Sequence, residues 1–134
     1  MSRERFLERK IDVRECASRL VEAIAQPDTE LIRDATIQRF EFTFELVWKT
    51  LNLYLERQGH SCGGPRSTLK KSFAENIIPT QTEADIWFRM IDDRNLTTHA
   101  YDQVLAQKIY GNIVVEYAPL LASMAARIQT LEWD

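Results

Sequence analysis

The sequence predicts an all-α fold, an antiparallel up-and-down bundle of four main helices plus a short one. Three observations carry this reading. Apolar residues recur at three- and four-residue spacing through most of the chain. No segment sustains the strict alternation of a strand. The 134 residues include only 4 glycines and 4 prolines, so long uninterrupted elements are expected. A chain that is 45% hydrophobic and 28% charged reads as one domain over 1–134, long enough to bury a core without disulfide or metal staples.

A first helix is expected over 3–25, where Phe6, Ile11, Val13, Cys16, Leu20, Val21 and Ile24 recur with charges between them. Gln26-Pro27-Asp28 ends it, and Asp28 or Thr29 can cap the next. The second helix runs over 30–58. Phe40, Phe44, Val47, Trp48, Leu51 and Leu55 make one continuous stripe, and Phe42, Leu46 and Leu53 a second. A helix apolar on two faces must be covered twice, which points to its own bundle and to another subunit. Gly59 fits a helix stop. After the loop His60-Ser61-Cys62-Gly63-Gly64, Pro65 suits the first turn of a short helix reaching about Asn76. Its Arg66, Lys70 and Lys71 read as a solvated face, or else as a patch for an acidic partner or an RNA backbone.

Ile77-Ile78-Pro79 closes that segment. Thr80-x-x-Glu83 has the form of a capping box and opens a helix over 81–95, with Ile86, Trp87, Met90 and Ile91 as its apolar stripe. Asp102 can cap the last helix, expected to reach about Leu131. Its core positions are Leu105, Ile109, Ile113, Tyr117, Leu120, Met124 and Ile128, and Pro119 inside it predicts a kink or local break.

The net charge of −3 argues against an extended duplex-DNA footprint but leaves room for a small local RNA contact. Cys16 and Cys62 form no CxxC pair and are expected to be free thiols; no metal site and no cofactor is expected. Gly59…Gly63-Gly64 is not a phosphate loop, because no GK[ST] follows and no strand precedes it. The start MSRERFLERK lacks an apolar h-region, and no apolar run has the length of a membrane span. A soluble cytoplasmic protein is expected.

Polar residues of several kinds crowd together between the last two helical stripes. Of the 2 histidines, His60 sits beside glycines as an ordinary loop residue, whereas His99 follows Asp92, Asp93, Arg94 and Asn95 and precedes Tyr101. In a continuous helix five residues rotate about 140°, so Arg94 and His99 diverge. A helix ending near Asn95 lets the next turn fold His99 back; a continuing one puts Tyr101 on the face of Arg94. Arginine offers a fixed fork of donors to a phosphate, histidine moves a proton near neutral pH, and Asn95 orients a neighbour. This set suits metal-free RNA cleavage by attack of the 2′-hydroxyl. That reaction needs a base and an acid, so a two-fold dimer would supply the second histidine. Asp92 and Asp93, being adjacent, point about 100° apart on a helix and do not readily chelate one ion.

Three stretches resemble the nucleotidyltransferase substrate-binding protein family, within the HEPN superfamily (higher eukaryotes and prokaryotes nucleotide-binding). They are Ile37-Gln38-Arg39-Phe40-Glu41-Phe42-Thr43-Phe44-Glu45-Leu46-Val47-Trp48-Lys49; Gly64-Pro65-Arg66 leading to Phe73-Ala74; and Trp87 through Met90 followed by Asp93-Arg94-Asn95-Leu96-Thr97-Thr98-His99-Ala100-Tyr101. The resemblance implies a dimeric HEPN-like helical bundle that binds a cognate minimal nucleotidyltransferase. It implies a toxin ribonuclease motif, Arg-x4–6-His, on Arg94 and His99 with Asn95 in the polar position. The longer pattern Arg-x4-His-x-Tyr makes Tyr101 the acceptor of AMP from the partner enzyme, which silences the toxin. Asp93 and Arg66, within the matching stretches, become candidate binding residues. A non-catalytic subunit that presents a nucleotide or substrate to the partner, and a purely structural dimerisation scaffold, are the alternatives.

Overall fold

The computed structural model describes residues 2–134 and contains no strand among them. Helix α1 spans Ser2–Ile24, α2 Glu30–Arg57, α3 Pro65–Ala74, α4 Gln81–Leu96, α5 Gln103–Asn112 and α6 Ala118–Thr130. A 3-10 turn, Thr97–His99, follows α4, and a π turn, Ile113–Tyr117, joins α5 to α6, so Gln103–Thr130 is one continuous rod. Counting that rod once, the expected bundle of four long helices and a short one is observed.

Short polar side chains set the helix starts. Thr29, rather than Asp28, caps α2 by accepting the Ile32 N–H at 3.1 Å, while Asp28 pairs with Arg33 at 2.8 Å. Thr80 accepts the Glu83 N–H at 3.2 Å. Asp102 Oδ1 accepts from the N–H groups of Val104 and Leu105 at 3.0 and 3.3 Å. The capping box at α4 is only half made. Glu83 does not return to Thr80; its carboxylate takes the Arg127 guanidinium in a bidentate pair, one arm at 2.7 Å, tying α4 to α6. Two charge-assisted hydrogen bonds outcompete one to a backbone N–H.

The ends of α2 and α3 share one solution. His60 N–H donates to the Leu55 carbonyl and Gly59 N–H to that of Glu56, with Gly59 at φ +92°, a Schellman motif that glycine accommodates without strain. In α3 the same pair of bonds runs from Ile77 to Ser72 and from Asn76 to Phe73, with Asn76 at φ +62°.

α2 is the central element and packs on α1, α3, α5 and α6. Phe40, Phe44, Val47, Leu51 and Leu55 are fully buried, as their spacing requires. Between them run Thr36, Thr43 and Thr50, also fully buried, each hydroxyl donating to the carbonyl four residues back at 2.6–2.7 Å. Thr43 also lies 3.2 Å from the Cys16 carbonyl of α1.

Three expectations need correction. In α1, Ile11 and Val21 are exposed; the buried row is Phe6, Val13, Ala17, Leu20 and Ala23, where two alanines let α1 lie close to its neighbours. The second stripe of α2 is not a continuous free face, because Leu46 and Leu53 are half-buried and only Phe42 stands out, 57% exposed. Pro119 marks the expected local break without ending the rod: the regular α-helix gives way to the π turn and resumes at Ala118. It removes the N–H due to the Val115 carbonyl and crowds that carbonyl, and the rod widens into the π turn immediately before it. Leu120, an expected core position, is half-buried and Leu121 is fully buried in its place, while Met124 and Ile128 are buried as expected. Gln103–Thr130 is long and apolar enough to cross a membrane, but Ile109, Ile113, Tyr117, Leu121, Met124 and Ile128 form part of the bundle's core.

Candidate functional site

α4 ends one residue beyond Asn95. The Thr97 hydroxyl donates to the Arg94 carbonyl at 2.7 Å, satisfying a last-turn acceptor. The 3-10 turn then carries Ala100 N–H to the Thr97 carbonyl and Asp102 N–H to that of His99, and Asp102 caps α5. The chain thus passes from α4 into α5 with residues 94–102 gathered at one end of the bundle.

Arg94, Asn95, Thr97 and Thr98 face Glu41, Phe42 and Glu45 of α2 across a groove of about 400 Å³. An adjoining cleft of about 280 Å³ shares Glu41 and Thr97 and adds Asp34, Ile37, Ala100, Tyr101 and Gln103. The Arg94 guanidinium pairs with Glu45 across the groove and donates to Asn95 Oδ1 at 3.3 Å. Glu45 itself accepts from Trp48 Nε1 at 3.2 Å and has Lys49 Nζ at 3.6 Å. The fork of Arg94 is therefore oriented by a carboxylate that α2 anchors at two further points.

His99 Nδ1 lies 3.3 Å from the Tyr101 hydroxyl, the two rings edge-to-face at 5.9 Å. Both side chains are exposed, Tyr101 to 79%. The turn brings His99 to Tyr101 rather than folding it back onto Arg94, and Arg94 and His99 share no hydrogen bond. Arg94 and Asn95 meet in the groove, Tyr101 borders the adjoining cleft, and His99 stands beside it.

The other two candidates lie apart. Asp93 Oδ2 accepts from the Tyr117 hydroxyl at 2.6 Å and from Asn112 Nδ2 at 2.9 Å, so it faces the last rod as a strut. Burial, reinforced by the Asp93 hydrogen bond, pushes the Tyr117 hydroxyl above the ordinary tyrosine range. Replacing Asp93 with alanine leaves that buried hydroxyl without an acceptor and is expected to cost about 1–3 kcal/mol, read as a lower urea midpoint; an unchanged midpoint would remove the strut role. Arg66 lies over the Phe88 ring at 5.7 Å and 3.4 Å from Asp92, outside the groove lining. His60 pairs with Glu75 at 3.2 Å.

Sequence reasoning missed the acidic row Asp34, Glu41 and Glu45 that α2 gives to the groove and cleft. Its signal was present as seven- and four-residue spacing along one helix face. Among the described residues no group of three or more His, Cys, Asp or Glu side chains could hold a metal ion.

Three comparisons bear on this geometry. The model of the family described as "Nucleotidyltransferase substrate binding protein like" matches residues 8–130. The chain is 29% identical over 101 residues to a Haemophilus influenzae protein named "Probable ribonuclease HepT", covering 69% of this chain and 67% of that one. A crystal structure of a Thermus thermophilus protein superposes with a TM-score of 0.80 at 33% identity, covering 87% of this chain and 98% of that one.

Proposed function

Since the chain belongs to the nucleotidyltransferase substrate binding protein like family, we propose that it is a HEPN-type ribonuclease that cleaves RNA without a metal. In this reading it is the toxin of a toxin–antitoxin pair, neutralised by a cognate minimal nucleotidyltransferase. Arg94 holds the scissile phosphate. His99 takes the proton of the 2′-hydroxyl, whose oxygen forms a bond to phosphorus as the bond to the 5′-oxygen breaks. His99 of a second subunit protonates the leaving 5′-oxygen. Asn95 supports the fork of Arg94. Tyr101 accepts AMP, its oxygen displacing pyrophosphate from ATP held by the partner enzyme.

The observation that carries the reading is an arginine fork held in an open groove, with an exposed histidine beside Tyr101 at the adjoining cleft. The ribonuclease name of the Haemophilus influenzae relative points the same way. The dimer draws support from Leu31, Leu96 and Val104, apolar side chains exposed to 77%, 40% and 79%, on the elements that line or border the site. The exposure of Tyr101 suits an acceptor that another enzyme must reach.

The test is incubation of the full chain with RNA in excess chelator. Cleavage leaving 2′,3′-cyclic phosphate and 5′-hydroxyl ends is expected; intact RNA with a folded dimer would overturn the reading. One observation favours a second function, a non-catalytic nucleotide-binding subunit for the partner enzyme. Glu45 already occupies Arg94, so a scissile phosphate has to displace it, whereas Asp34 and Glu41 in the adjoining cleft offer acceptors to the hydroxyls and base of a bound nucleoside. Saturable nucleotide binding by the isolated chain without RNA cleavage would favour that alternative.

A further inference from the structure

Phe42 is an oddity of α2. It sits in the middle of a long helix whose other aromatic side chains are buried or half-buried, yet its ring is 57% exposed. On one side it lines the groove that holds Arg94. On the other it lines a separate cleft of about 180 Å³ between α1 and α2, together with Arg19, Gln38 and Arg39. The ring is thus a ridge between two concavities.

The two sides differ in charge. Glu41 and Glu45 line the groove, where they repel a phosphate backbone except at Arg94. The α1–α2 cleft is lined by two arginines, Arg19 and Arg39, and by no carboxylate. Arg39 is braced, its Nη1 donating to the Arg19 carbonyl at 2.7 Å, and the exposed carboxylate of Glu22 only approaches it, at 3.9 Å. Gln38, at the rim, offers the paired donor and acceptor that read a base edge. From Gln38 to Glu45, which holds Arg94, α2 rises about 10 Å, so a short piece of single strand spans both concavities.

We propose that the α1–α2 cleft is a subsite for a nucleotide flanking the scissile bond of single-stranded RNA: Phe42 stacks its base, Gln38 meets the base edge, and Arg19 and Arg39 take the phosphate. The proposal rests on the ribonuclease reading above. Stacking on an aromatic face serves every base, and the flanking guanidinium groups supply the charge that a single strand needs. A backbone leaving Arg94 avoids the acidic row by running over Phe42 to Arg39.

The test measures binding of a short labelled oligouridylate, 2′-O-methylated to prevent cleavage, to the full chain by fluorescence anisotropy. Phe42→Ala is expected to raise Kd roughly five- to a hundred-fold, the range for loss of one stacked base. Phe42→Trp should restore tight binding. Arg39→Ala should flatten the dependence of log Kd on log salt by about 0.7 for the lost phosphate contact. If the wild type cleaves RNA but Phe42→Ala and Arg39→Ala bind the oligonucleotide as it does, the subsite is wrong and the ribonuclease reading stands. If the wild type neither binds nor cleaves, both fall. If Phe42→Ala becomes monomeric in sedimentation equilibrium and loses RNA affinity only to that extent, a second copy covers Phe42 and the subsite is again wrong.

Discussion

Replacing His99 with alanine is expected to lower the rate of RNA cleavage by at least about 10²–10⁴-fold, the contribution of a single proton transfer by a positioned side chain. In the dimeric reading His99 serves as base in one subunit and acid in the other, so one substitution removes both groups. The fold should not feel it. His99 is exposed, lies in a 3-10 turn, and its side-chain hydrogen-bond partner among the described residues is Tyr101. Stability of the variant should stay within about 0.5 kcal/mol of wild type, which separates chemistry from unfolding. Arg94→Lys is the companion variant. It keeps the charge but loses the planar fork that Glu45 and Asn95 orient, so activity should fall while the melt holds. A His99→Ala protein that cleaves RNA at the wild-type rate would end the catalytic assignment.

Trp87→Ala is expected to destabilise the protein by about 3–5 kcal/mol, the usual cost of removing a fully buried large aromatic side chain. Trp87 is 0% exposed in the middle of α4, and its Nε1 lies 3.4 Å from the Glu83 carboxylate that also grips Arg127. The substitution opens a cavity and loosens the link between α4 and α6. Because Arg94 follows seven residues later on the same helix, two turns away, binding at the groove should weaken in the same variant. Urea unfolding reads the first effect. A loss below about 1 kcal/mol, small against the cavity cost for such a side chain, would mean that α4 is held by something other than Trp87.

How much of this was readable before the structure depended on the kind of residue. The Phe40–Leu55 stripe and the caps at Thr29, Thr80 and Asp102 follow from spacing and from short polar side chains, and all took their expected places. Asp93 and Arg66 did not join Arg94. Both lie in matching stretches of sequence, but their partners, Tyr117 and Asp92, are 24 and 26 residues away along the chain. Spacing within one helix carries no information about such pairs. Glu45 escaped notice for the same reason, its contact with Arg94 spanning 49 residues.

Residues 94–101 show the division most clearly. Local chemistry gave a helix reaching about Asn95, an Asp102 cap for the next helix, and an arginine, an asparagine, a histidine and a tyrosine in the short stretch between, and left open whether the first helix continued. Those outcomes depend on interactions a few residues long, which the order of side chains contains in full. Only packing decided that Arg94 faces Glu45 across a groove, that Asp93 turns the other way to Tyr117, and that Phe42 stands between two clefts. Each of these depends on how α2 lies against α1, α4 and the last rod, and that arrangement is set by the fit of whole buried faces rather than by any local spacing.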